Sequence, residues 1–239
     1  MSFNHDNDED DNYPRKRHVD YSNLEPDTGY YLWKIRLRYW YTSFLIVIVV
    51  ISLVMIGSIA TPRWSEQGSG GTKWRSGLLK CGACQGRWEN NYISEIVQEA
   101  EDNNIDGAFE TFSALRNGGY FYVLFESLAL LTALIWIVQI SFLMVQYRFL
   151  KDKLLLVNII ALNLLHSIGL AGWFGFTGAK FGGSCLKVSD YINSYDVCPS
   201  HGPAMCIFIE IFLFMLSVFF YAVYMNRKKA VNRDKFILG

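Results

Sequence analysis

Three groups of residues in this chain have types and spacings that could do chemistry. The first is sulfur. Cys81 and Cys84 form a C-x-x-C, Cys185 and Cys198 lie far downstream, and Cys206 stands just inside an apolar block. A zinc knuckle needs a second C-x-x-C or paired histidines, and neither accompanies Cys81 and Cys84. A thioredoxin-like redox role needs a surrounding βαβ pattern, which is also missing. Two disulfides fit four cysteines on an oxidising face, with three connectivities open. Local pairing, Cys81–Cys84 and Cys185–Cys198, is the simplest. Gly82 suits the first central position of a type II′ turn, so Cys81-Gly-Ala-Cys84 can make a tight hairpin.

The second group is oxygen. Asp102-Asn-Asn104-Ile-Asp106-Gly107 matches the opening of an EF-hand loop, with Glu110 at the ninth position and Ser113 where the bidentate glutamate belongs. Asp102, Asn104, Asp106 and Glu110 could therefore hold only a weak extracellular calcium ion. An acidic helix–turn would use the same residue types, because Asn and Asp tolerate turn geometry. No other cofactor is expected.

The third group is ionisable residues inside long apolar blocks: Glu126, His166 and Glu210. Such groups are costly in hydrocarbon and face a bundle interior or a partner. They could carry an ion path, or hydrogen-bond between helices as Asn158 and Asn163 could; a four-helix unit too small for a wide pore favours the second. No G-x-S-x-G, H-E-x-x-H or P-loop is present, so no enzyme is expected.

The blocks that must position these groups are visible in the charge distribution. The chain has 22 basic and 22 acidic residues, so no net cationic field favours nucleic acid, and 51% hydrophobic content excludes disorder for most of it. No charge occurs between Arg38 and Arg63; 119–147 contains only Glu126, 154–179 none, and 203–226 only Glu210. Each block meets the roughly 20 apolar residues that a bilayer core of about 30 Å demands. Four spans follow, at 39–61, 119–147, 154–179 and 203–226. Glycines 169, 172, 175 and 178 recur along the third and read as a helix-packing seam.

Basic residues fix the orientation. Lys34, Arg36 and Arg38 precede the first span, Arg148, Lys151 and Lys153 fill a short loop at 148–153, and five more follow the fourth. The positive-inside bias makes the tail 1–38, the loop 148–153 and the tail 227–239 cytoplasmic. The polar 1–38 segment is a cytoplasmic tail rather than a signal peptide, and its acidic start, Asp6 to Asp11, reads as disordered. Outer loops 62–118 and 180–202 then contain the four paired cysteines and no N-glycosylation acceptor. Within the longer loop, Ile93, Ile96, Val97 and Ala100 recur at helical spacing and predict a short amphipathic helix. Trp64, Trp74 and Trp88 are separated by turn-rich segments such as Gly68–Gly71, suiting short strands with an aromatic core or anchoring at the headgroups.

Pro62-x-Trp64, then Trp74-x-x-Gly77-Leu78 and the Cys81/Cys84 pair, resemble the signature of the claudin-like tetraspan superfamily, which includes claudins, epithelial membrane proteins and calcium-channel gamma subunits. Arg116 ahead of the second span resembles that family's basic residue. Leu79 stands where the family has a second tryptophan, the two loop cysteines are unusually close, and Cys185 and Cys198 have no claudin counterpart. The resemblance implies an all-α transmembrane four-helix bundle with a small extracellular antiparallel β-sheet formed by the outer loops. It also implies a multi-pass plasma-membrane protein, with both termini cytoplasmic, that acts as an accessory subunit of an ion channel or other membrane complex. Claudin-type adhesion is the alternative, and a large-pore channel subunit ranks below it. The expected partners are the bilayer and either a larger membrane protein or further copies of the chain.

Overall fold

The computed structural model describes residues 30–67, 74–84, 88–144, 152–179, 185–189, 194–226 and 231–232. The acidic run, the Gly68–Gly71 turn, Arg148, Lys151 and the basic residues of the C-terminal tail lie outside them.

Four helices are long and apolar enough to cross a membrane. They are α1 (Leu37–Ala60), α3 (Asp106–Met144), α4 (Asp152–Thr177) and α5 (His201–Asn226); a short α2 (Ile93–Asp102) precedes α3. On α1, Phe44, Ile48, Ile51, Met55 and Ser58 are buried at steps of three and four, while Ile46, Val50, Leu53 and Ile56 are exposed. One stripe packs on other helices, and the rest is apolar surface compatible with a lipid bilayer. α3 packs along α4, and α1 against both α5 and α3. The common core includes Ile48, Trp136, Ile159, Leu213 and Phe220.

Loop residues supply a five-stranded antiparallel sheet of order β5-β4-β3-β7-β6 at one end of the bundle. β3 (Ser65–Gln67), β4 (Arg75–Ser76) and β5 (Cys81–Ala83) precede α2; β6 (Leu186–Ser189) and β7 (Ser194–Pro199) precede α5. β3 pairs with β7, opposing Ser65 to Pro199 and Glu66 to Cys198, so the two connections form one sheet. Burial pushes the Glu66 carboxyl up, but the Ser200 hydroxyl donating to it at 3.0 Å and the nearby Arg75 and Arg63 charges hold it below its ordinary value. Cys81 pairs with Cys84 and Cys185 with Cys198, the local connectivity. Cys206 is buried and free.

Trp74 and Trp88 pack with Ile93, Ile96, Val97, Ala100 and Phe112 under this sheet. The Trp88 indole N–H donates to Glu99 at 3.0 Å, which satisfies its one polar atom within an apolar cluster. The amphipathic helix expected around 92–100 is α2. Glu95 accepts the Tyr92 N–H at its start, and its end is closed by a left-handed Asn104 (φ 53°). Ile105 N–H reaches Ala100 O and Asn104 N–H reaches Glu101 O, a Schellman arrangement.

Two features differ from the sequence reading. The second span was expected from 119, yet α3 starts at Asp106 and runs 39 residues, about 58 Å at 1.5 Å per residue. Gly118 and Gly119 resemble a boundary in sequence, but here they are close-approach positions within the helix. A Cβ on Gly118 would lie 3.3–3.4 Å from Trp173, Phe176 and Thr177, and one on Gly119 would strike the Leu78 carbonyl.

Residues 30–36, read as part of a tail, instead form β1 (Tyr30–Leu32) and β2 (Ile35–Arg36), which join β8 (Val231–Asn232) in a second sheet at the opposite end of the bundle. The segments before α1 and after α5 thus pair with each other, Tyr30 opposite Asn232. The β1–β2 turn is Trp33–Lys34, both at positive φ (51° and 68°). Two-residue hairpins of this kind normally use Asn-Gly, and a non-glycine residue in the left-handed region costs about 1–2 kcal/mol.

Candidate functional site

The ionisable residues of the apolar blocks converge. The His166 Nδ1 lies 2.7 Å from Glu126 Oε2, and its Nε2 lies 3.0 Å from the Cys206 carbonyl. A carbonyl only accepts, so Nε2 carries a hydrogen, and one further proton lies between Nδ1 and the carboxylate. The Glu126–His166 pair is therefore neutral as a unit, which is what a group with both members fully buried in an apolar bundle requires. Ser167, the next residue, donates to Glu210 Oε1 at 2.6 Å. Glu126 Oε1 and Glu210 Oε2 have no hydrogen-bond partner among the described residues.

A second chain of contacts lies beside this pair. Ser58 Oγ donates to Met55 O (2.7 Å) and lies 3.1 Å from Tyr122 Oη, which lies 3.0 Å from Cys206 Sγ. Because the Ser58 hydrogen is committed to a carbonyl, Tyr122 must donate to Ser58, and the Cys206 thiol must donate to Tyr122. The direction Cys206 → Tyr122 → Ser58 → Met55 O ends on a backbone acceptor that cannot take up a proton. This chain ties α1, α3 and α5 together, and the His166 Nε2–Cys206 O bond adds α4. Asn158 donates to Gln139 (2.9 Å) and Asn163 to Ser217 (2.7 Å), adding two more interhelical ties.

Ser58, Tyr122, Ser167 and Cys206 were not anticipated. A signal existed: Tyr122 and Cys206 each precede an intramembrane glutamate by four residues, so each pair shares a helix face.

The motif residues also meet, where the sheet joins the bundle. Trp64 is fully buried; its indole N–H donates to Ser58 O at 2.7 Å and its ring packs on Tyr122 and Trp173. Its backbone is held on both sides, N–H to Ser76 O (2.7 Å) and C=O from Ser200 N–H (3.0 Å). A Cβ on Gly202 would meet the Trp64 ring at 2.7 Å, so only glycine lets α5 start this close. Pro62 stops α1 after Thr61 caps it, and a Cβ on Gly77 would lie 3.2 Å from Thr61 O. Leu78 is buried with Trp64, Tyr122 and Trp173, while Arg116 is half-buried and donates to Asn117 Oδ1 at 3.4 Å.

The remaining candidates separate. Gly169 and Gly172 seat α4 against Phe125 and Phe121 of α3, Gly175 has nothing within 4 Å, and Gly178 (φ 64°) lies past the helix end. The four glycines are thus two internal contacts, one open position and one cap, because steps of three drift around a 3.6-residue helix. The D-x-N-x-D-G string forms the α2–α3 corner: Asp102 ends α2, Asn104 is its left-handed cap, Asp106 starts α3, and Glu110 is a turn further on. The string therefore takes the acidic helix–turn form that its residue types also allow. No group of three His, Cys, Asp or Glu among the described residues is placed to hold a metal ion.

The chain thus combines an apolar four-helix block, an internal polar tie across all four helices, and a disulfide-bearing sheet locked to it through Trp64. Comparison with protein-family models and with curated proteins gives no match.

Proposed function

We propose that this chain is a non-enzymatic accessory subunit of an ion channel or other larger membrane protein, and a divergent member of the claudin-like tetraspan superfamily. In this reading it resides in the plasma membrane with both termini cytoplasmic and the five-stranded sheet outside. The two disulfides suit an oxidising face, and the basic residues near Lys34 suit the cytoplasmic one. The meeting of Pro62, Trp64, Gly77 and Leu78 at the sheet–bundle junction supports the family reading.

The observation that carries the functional reading is the filled bundle. Ile48, Met55, Trp136, Ile140, Ile159 and Leu213 are fully buried, and Glu126 and His166 are spent on each other. A unit whose interior is occupied by side chains acts through its surfaces: the helix flanks and the sheet with its helical cap. Flanks supply affinity through close packing, and the cap can bias a partner only if it touches an element that differs between the partner's states.

The purified chain alone, reconstituted in planar bilayers, is expected to be electrically silent. A conductance that changes with Glu126→Gln or Glu210→Gln would overturn the accessory reading in favour of a pore.

A further inference from the structure

We infer that the β1–β2 hairpin is a headgroup site for an anionic phospholipid, built from Trp33, Lys34, Ile35, Arg38 and Tyr39. Three observations carry it.

The first is placement. β2 runs directly into α1, and Leu32 is buried in the bundle core with Leu37 and Tyr41. Trp33 packs edge-on against Trp40 at 5.8 Å, and the Trp40 indole N–H donates back to Leu32 O. The hairpin therefore folds alongside the first turn of a membrane-crossing helix instead of projecting away from it, which sets its turn at the level where headgroups meet acyl chains.

The second is composition. Trp33, Ile35 and Tyr39 are exposed, as are Lys34 and Arg38. Arg36 is committed to Tyr31, through a hydrogen bond of 2.9 Å and a position over its ring. Lys34 and Arg38 have no ion pair among the described residues. Two unpaired cations beside an exposed indole and phenol, on an otherwise apolar helix start, complement a phosphate-bearing lipid whose glycerol and upper acyl region lie on the aromatic rings.

The third is strain. Trp33 and Lys34 both occupy the left-handed region, where Asn-Gly would be relaxed. A bulky residue there is an outlier that marks a position held for its side chain.

The test uses the full chain in nanodiscs of phosphatidylcholine containing a minority of phosphatidylserine, with native mass spectrometry of the lipids retained on the released protein. Wild type is expected to retain phosphatidylserine in preference to phosphatidylcholine. Lys34→Gln with Arg38→Gln should reduce that preference by roughly fivefold per charge removed. Trp33→Asn with Lys34→Gly should also reduce it while raising the unfolding temperature, because it relaxes the turn as it removes the ligand groups. Loss of preference in both variants supports the site. No preference in wild type, or wild-type preference in either folded variant, overturns it. Should one variant fail to fold, the other decides alone.

Discussion

One proton between His166 Nδ1 and Glu126 Oε2 determines how much charge the bundle interior holds. With the proton in place the pair is neutral; without it, a buried carboxylate would face an imidazole lone pair at 2.7 Å. Glu126→Gln keeps a hydrogen bond, because the amide N–H can donate to Nδ1. Glu126→Leu leaves Nδ1 unpaired. Interhelical hydrogen bonds in membranes are worth about 1–2 kcal/mol at most, since the separated helices also find partners. The leucine variant should therefore lose about that much stability in detergent thermal unfolding, and the glutamine variant clearly less. Equal losses would show that the pair contributes packing alone. Glu126, His166 and Glu210 were legible in the sequence because ionisable residues are rare in apolar blocks. Ser58 was not, because neutral polar residues are common in spans and only a three-dimensional neighbour gives it a role; Tyr122 and Cys206 had only the weak signal of sharing a helix face with Glu126 and Glu210.

At the scale of elements, charge spacing located the spans, since no soluble helix needs a charge-free run as long as 39–62. Helix ends were less legible wherever glycine had two meanings. Gly118-Gly119 looks like a loop end, but in α3 the pair admits Trp173 and the Leu78 carbonyl. Gly175 sits in an equally helical segment with nothing nearby. Opposite outcomes are expected for the same substitution. Gly175→Ala should stabilise by about 0.5–1 kcal/mol through helix propensity. Gly119→Ala should destabilise, because a backbone carbonyl cannot swing aside and the clash outweighs that gain; a melting temperature raised by Gly119→Ala would refute the close approach. The β1–β2 hairpin was illegible for the converse reason: Trp-Lys lacks the turn signature, and β8 lies some 200 residues away in sequence.

For the whole molecule, the decisive feature is that two loops and four helices form one unit. The β3–β7 pairing, the Trp64 indole on Ser58 O, and the Thr111 hydroxyl, shared between Gly107 O and Lys187 O at 2.9 Å each, leave the sheet little freedom to move independently. The C-x-x-C and the distant cysteine pair were both readable, and local pairing is the connectivity present. What could not be read was that Trp64 serves as the bolt between sheet and bundle, because its partners Tyr122, Trp173 and Gly202 come from three other elements. α2 buries one face against Trp74, Trp88 and Phe112 and exposes Glu95, Glu101 and Asp102 on the other. In the proposed accessory role, an acidic ridge on a rigid cap would press on a moving element of the larger protein, whereas a loose loop would yield. We propose that this rigid unit serves a larger membrane protein. Gentle purification from native membranes, with identification and quantification of co-purifying chains, tests it most directly. A different, larger membrane protein at fixed stoichiometry is the expected result; recovery of the chain alone, or only as polymers of itself, would rule that role out.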